Sequence, residues 1–374
     1  MKKVMFFALA LIVAAGSVFA GGRGQQGQLI GIAMPETHVD RWIGDGNRLR
    51  DEAVRRGFRA EVMWADANQL IQNTHVDSFL TQGADLIIIG AVNEGAAAAV
   101  ANAARDGVPV IAYDRLIMGT GDIDYFITFN NYAVGVAQGQ AIVDALDLNA
   151  VTAANPRTIT LFAGSPTDPN AFFFFDGAMS VLLPHIDRGA LQVVGPSPRS
   201  HSDPAFMAIA TPGWMPINAR TRMDDLLVGA AGGTIVLDAI LSPNDTLARA
   251  IIESLRLDDR YQATLPVVTG QDSEFDSLIS IWNGEQYMTI FKDTHALAEA
   301  AVLLAYQILN NQPRNIPGAT IATGDLAAIG DTGIRQVTTF LFDITIITRD
   351  NIHVPLDAQF FDAAQTAQLR AMFN

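Results

Sequence analysis

Short apolar runs with no polar face recur along this chain, each separated from the next by a stretch of helical period. Leu29 to Met34, Leu86 to Ile89, Val108 to Ala112, Thr158 to Phe162, Ala239 to Leu241 and Pro266 to Thr269 are of this kind, and Ala60 to Trp64 reads as a further strand. A strand that is apolar on both faces must be covered on both, which is the condition of a parallel sheet between two helix layers. The intervening stretches supply those layers. Helices are predicted over Trp42 to Arg56, stopped by Gly57, and over Asn68 to Gln82, Gly95 to Arg105, Ala171 to Leu183, Ala219 to Gly229, Thr246 to Leu255 and Thr294 to Leu309. A strand after Met288 and a late strand over Phe340 to Thr348 complete an α/β reading.

With 374 residues, the chain exceeds the size at which one core stops growing, so two domains are expected. The halves resemble each other. Gly83 to Ile89, Asn93, a helix and Val108 to Asp114 run in the same order as Leu237 to Leu241, Asn244, a helix and Val267 to Asp272. Two similar doubly wound parallel-sheet domains follow, each with polar residues at the carboxyl ends of its strands, where such sheets bind ligands. Val194 to Pro212, rich in Pro, Ser and Gly, reads as a surface insertion in the second domain.

Lys2 and Lys3 precede an apolar run from Val4 to Ala15, and Val18-Phe19-Ala20 presents small residues where a signal peptidase cuts. The run is shorter than the roughly 20 apolar residues of a membrane span, so an exported chain cleaved near Ala20 is expected. The formal charge is −15, and −17 without Lys2 and Lys3. That balance argues against nucleic acid, which requires a basic footprint. There is no Cys, hence no disulfide framework or lipid-modified Cys. The six His (38, 75, 185, 201, 295 and 353) show no ligand spacing, and neither a phosphate-binding loop nor a nucleophile elbow is present. No metal, cofactor or catalytic constellation is expected.

What the chain offers instead is a set of polar and aromatic residues just after strands. Arg41 and Trp42 follow the first strand; Asp114 and Arg115 end another; Asp168 and Asn170 follow Thr158 to Phe162. Trp214 follows the insertion, Asn244 follows Ala239 to Leu241, Asp272 follows Pro266 to Thr269, and Lys292 follows Met288 to Phe291. Singly, several could be helix caps. Together they converge on one cleft if the two domains face each other. Arg41, Arg115 and Lys292 balance Asp114, Asp168 and Asp272, which suits a neutral ligand with many hydroxyls: carboxylates accept from them, and Arg and Asn donate. The two indoles would offer flat apolar faces to a sugar ring.

At these residues the chain resembles the periplasmic monosaccharide-binding proteins of ABC importers, type I fold, most closely the xylose-binding and multiple-sugar-binding proteins. The resemblance is carried by Asp40-Arg41-Trp42, Ile111 to Leu116, Gly164 to Ala171, Ser242-Pro243-Asn244-Asp245, Thr269 to Asp272 and Met288 to Lys292. It implies that Arg41, Asp114, Arg115, Asp168, Asn170, Asn244, Asp272 and Lys292 hydrogen-bond an aldose of the xylose, glucose, galactose or arabinose type, with Trp42 and Trp214 stacking on it. It also implies a three-segment hinge, with crossings near Asn131, Phe291 and Leu341. The domains would then be 27–131 plus 292–341, and 132–291 plus 342–374. Pro169 and Asn130 depart from the family pattern, in the loop carrying Asp168 and near the first crossing. The resemblance further implies a periplasmic monomer, not an enzyme, that delivers its sugar to a membrane permease and also serves a chemoreceptor. Ribose, a polyol or an autoinducer sugar is the alternative ligand, and a secreted sugar-processing enzyme the alternative class.

Overall fold

The computed structural model describes residues 27–39, 41–229 and 234–373. The expected signal peptide lies outside these residues, as does Asp40. The first half runs β1 (Leu29–Met34), α1 (Arg41–Arg55), β2 (Arg59–Trp64), α2 (Gln69–Thr81), β3 (Leu86–Ile89), α3 (Ala97–Arg105), β4 (Val110–Tyr113) and β5 (Tyr125–Phe129). The second runs α4 (Asn131–Ala145), β6 (Arg157–Leu161), α5 (Pro169–Asp187), β7 (Leu191–Val193), α6 (Pro216–Val228), β8 (Ala239–Leu241), α7 (Asp245–Arg256), β9 (Val267–Val268), α8 (Phe275–Trp282) and β10 (Thr289–Phe291). The chain ends with α9 (Thr294–Leu309), β11 (Thr320–Ile321), β12 (Thr338–Phe342), β13 (Thr345–Ile347), α10 (Val354–Asp357) and α11 (Ala363–Phe373).

β1, β3 and β4 are buried along their whole length, as strands between two helix layers must be. They belong to a seven-stranded sheet of order β11-β12-β5-β4-β3-β1-β2, parallel except for β11. A second, parallel sheet has the order β7-β6-β8-β9. Both are wound alike: the first strand lies inside, the second beside it, and the third on its other flank. The internal similarity is therefore topological, with β3 and β4 corresponding to β8 and β9. Asn93 and Asn244 occupy matching places: Asn93 accepts from Gly95 N and caps the 3-10 turn Glu94–Ala96 that leads into α3, and Asn244 accepts from Leu247 N and caps α7.

β10 pairs with β13 in an antiparallel ribbon that adjoins β9 through Tyr287 N to Val268 O, 3.0 Å. The chain thus leaves the large sheet after β5, returns after β10, and leaves again after β12. The last passage corrects the single late strand Phe340 to Thr348. Its residues form β12 and β13 in different sheets, because the chain changes sheets between Phe342 and Thr345.

The segment expected as a surface insertion lies at the surface over most of its length but is anchored to the core at a few residues. Phe206, Ile209 and Thr211 are buried, and Ala163 N donates to Ile209 O at 2.9 Å, so the irregular segment closes over the end of β6. Its Pro and Gly break the strand–helix alternation, and Gly195 to Ser197, Arg199, Pro204 and Met207 are exposed, while Phe206 and Ile209, three residues apart, reach the core.

Candidate functional site

The ten residues singled out from the sequence line one cavity between the carboxyl ends of the two sheets, together with Val39, Phe174 and Gln271. The space between these side chains, counted out to where it opens to solvent, is about 320 Å³. Arg41 and Trp42 open α1, beyond β1, and Asp114 and Arg115 follow β4. From the four-stranded side, Asp168 caps α5 by accepting from Asn170 N, and Pro169 takes the first helical position, where its missing N–H costs nothing. Asn244 caps α7; Gln271 and Asp272 follow β9; Lys292 follows β10.

Asp114 and Asp272 hold matching posts. Each has left-handed backbone, φ 63° and 97°, and each donates its N–H to the next strand, to Ile127 O at 2.8 Å and to Ile290 O at 2.9 Å. A non-glycine residue in that region is strained, and such strain gathers where a side chain must be aimed. Arg41 sits between the two carboxylates: its Nη2 donates to Asp114 Oδ2 at 2.9 Å, and its Nη1 lies 3.5 Å from Asp272 Oδ1.

Several contacts join the two sides directly. Arg115 Nε lies 2.8 Å from Asp168 Oδ2, and Asn170 Nδ2 donates to Asp114 O at 2.9 Å. At the rim, His38 Nε2 lies 2.9 Å from Gly213 O. Lys292 Nζ pairs with Asp272 Oδ1 at 2.8 Å and lies over the rings of Phe174 and Phe129.

Burial alone would lower the Arg41 pKa, but Asp114, Asp45 and Asp272 outweigh it and raise it well above the ordinary value. Arg115 is likewise raised against burial, by Glu36 and Asp168. Burial pushes Asp114 upward, yet Arg41, Lys292 and Arg115 together hold it below the usual carboxylate range. For Asp168 burial wins over Arg115, so its pKa is raised. The cluster therefore carries fixed guanidinium charge and a firmly ionised Asp114.

Two expectations need amendment. The balance of three cations against three carboxylates is incomplete, because Glu36 pairs with Arg115 at 2.7 Å and Asp45 with Arg41 at 2.8 Å, making five carboxylates. Trp42, expected as a platform for a sugar, also has the guanidinium carbons of Arg41 and Arg115 at 4.7 and 4.8 Å from its ring centroid, a cation–π arrangement. Trp214 donates its indole N–H to Asp168 Oδ2 at 3.0 Å. A Cβ on Gly164 would run into the Trp214 ring, so glycine is what admits the indole there.

Among the described residues no group of three or more His, Cys, Asp or Glu is placed to hold a metal ion, and no helix is long and apolar enough to cross a membrane.

Residues 30–313 match the periplasmic binding protein domain family. The chain is 36% identical over 362 residues, 96% of each chain, to the multiple sugar-binding periplasmic receptor ChvE of Rhizobium radiobacter. It is 30% identical over 284 residues to the D-xylose-binding periplasmic protein of Escherichia coli K12, covering 76% of this chain and 78% of the other. An ABC transporter solute-binding protein from Clostridium phytofermentans, solved with bound β-D-glucose, superposes with a TM-score of 0.81 at 30% identity, covering 91% of this chain and all of that one. Fold, sheet winding and sequence agree: the chain belongs to the periplasmic binding protein family.

Proposed function

We propose that this protein captures an aldose monosaccharide, of the xylose, glucose, galactose or arabinose type, in the cavity between its two sheets, and passes it to the membrane permease of an ABC importer. The observation that carries the reading is the cavity wall: guanidinium, ammonium, carboxylate, amide and indole groups drawn from the carboxyl ends of both sheets. Asp114, held ionised, accepts hydrogen bonds from sugar hydroxyls, as carboxyl oxygens do generally; Asn and Arg donate to ring and hydroxyl oxygens. Gln271 Oε1 is buried without a protein partner and offers a further acceptor. A misplaced hydroxyl would leave buried groups unpaired, so epimers should be well separated.

In this reading residues 27–131 with 292–341, and 132–291 with 342–374, form the two bodies, and the three passages between sheets are the hinge. The sugar favours the closed form because it touches both bodies only there. The chain works as a monomer in the periplasm after cleavage near Ala20, with a chemoreceptor as a second partner, and performs no catalysis.

The test is calorimetric titration of the mature protein, stripped of bound ligand, with D-xylose, D-glucose, D-galactose, L-arabinose and D-ribose. Binding near micromolar, about 8 kcal/mol, is expected for at least one aldopyranose. Asp272→Ala, which strips Lys292 and Arg41 of a buried partner, should weaken it by at least 100-fold, on the order of 3 kcal/mol. No heat with any aldose would overturn the reading.

A further inference from the structure

Two buried carboxylates of this site do not line the cavity. Glu36 is 2% exposed and Asp45 is fully buried, and each grips one of the two arginines that do line it. Glu36 takes Arg115 with both oxygens, Oε1 to Nη2 at 2.7 Å and Oε2 to Nη1 at 3.2 Å, while Ala91 O accepts from Nη1 at 3.2 Å. Asp45, four residues along α1 from Arg41, accepts from its Nη2 at 2.8 Å and Nε at 3.3 Å through a single oxygen, Oδ2. A guanidinium has five N–H donors in a rigid plane. Fixing two of its nitrogens fixes the direction of the rest. Beyond the hydrogen bonds above, Arg41 has Nη1, which faces Asp272 Oδ1 at 3.5 Å, and Arg115 has one N–H on Nη2.

We propose that Glu36 and Asp45 are positioning residues that lock the Arg115 and Arg41 guanidiniums in orientation before ligand arrives; this rests on the sugar-binding reading of the cavity. Both carboxylates come from the same side as their arginines: Glu36 follows β1, Asp45 lies on α1, and Arg115 follows β4. Their grip therefore does not depend on contact between the two sides. Arg115–Asp168 and Arg41–Asp272, by contrast, join the two sides. An arginine held in place does not surrender side-chain freedom when the sugar binds, which is how preorganisation raises affinity.

The experiment has two parts. In the ligand-free protein, the Nε–Hε resonances of Arg41 and Arg115 are followed by NMR. They are expected to be sharp and slowly exchanging in the wild type and to broaden, each alone, in Asp45→Asn and Glu36→Gln. Unchanged resonances in the variants would overturn the proposal, and this readout stands whether or not any aldose binds. In the second part, the aldose dissociation constant is measured for Asp45→Asn, Arg41→Lys and the double variant, and likewise for Glu36→Gln with Arg115→Lys, with thermal unfolding followed alongside. Each carboxylate change alone is expected to weaken binding about tenfold and to add little once its arginine is already lysine. Additive losses would mean that the carboxylates act on the fold and not through the arginines, and would overturn the proposal.

Discussion

Asp114 and Asp272 show what a single residue contributes here. Each spends backbone strain to aim a carboxylate at the same guanidinium, from opposite sides of the cavity. All ten side chains picked from the sequence border the cavity, because in a parallel α/β sheet the carboxyl end of a strand locates the polar residue that follows it. Glu36 and Asp45 escaped that rule, since their charges turn inward to an arginine and not toward the cavity. The four-residue spacing of Arg41 and Asp45 was the available signal, but on an exposed helix face it marks an ordinary surface pair. His295 carries a separate expectation. Burial, helped by the Arg48 charge, pushes its pKa down to about 4, and its Nε2 meets Phe360 O at 3.1 Å. Below its unfolded value, near 6.5, the unfolded chain takes a proton that the folded chain refuses. Stability conferred by the neutral ring is thus present above pH ~6.5 and lost as the pH falls toward 4. Urea unfolding at pH 7 and pH 4.5 should show His295→Gln losing less stability than the wild type, by about 1–2 kcal/mol after allowance for the ring's partial exposure. An identical loss in both proteins would refute this.

At the scale of elements, the packing of α4 on α5 decides how the four-stranded side is built. Gly135 and Gly139 on α4 face Phe174 to Val181 on α5, and a Cβ at Gly135 would clash with the Phe174 carbonyl. Gly177 on α5 meets the Tyr132 carbonyl in the same way. The helices touch backbone to backbone, and Asn131 Nδ2, at the start of α4, donates to Asn170 Oδ1 at 2.8 Å. Gly135→Ala should therefore destabilise the protein by about 1–3 kcal/mol through overpacking, read as a lower urea midpoint, and weaken ligand binding as α5 shifts Asp168 and Asn170. A midpoint equal to that of the wild type would contradict the backbone contact. The same glycines explain why α4 was not read from the sequence: two Gly at four-residue spacing lower helix propensity, and only the partner helix reveals their use. β1, β3, β8 and α9 were legible to the residue, being apolar runs or long periodic stretches with clean ends. β5 was not, since Asp122 and Asp124 interrupt the apolar pattern just before it, although Asp124 Oδ2 serves only to accept from Val110 N at 2.7 Å. β12 and β13 were merged because a crossing between sheets need not interrupt an apolar run.

For the whole molecule, two sheets of like winding meet carboxyl end to carboxyl end, and the chain passes between them three times. Contacts within one side, such as Arg115–Glu36 and Arg41–Asp114, need no closure to exist. Contacts between sides, such as Arg115–Asp168 and Asn170–Asp114, exist only when the sides meet. Without sugar, these direct contacts alone must repay the desolvation of the charges they bury, an exchange close to neutral. A sugar that adds hydrogen bonds to both sides tips the balance. The central claim is that an aldose closes the two sides on one another. Small-angle X-ray scattering from the ligand-stripped protein, before and after saturation with an aldose that calorimetry shows to bind, tests it most directly: the account predicts a fall in radius of gyration to the value computed for the arrangement described here, and an unchanged radius with the sugar demonstrably bound would contradict it.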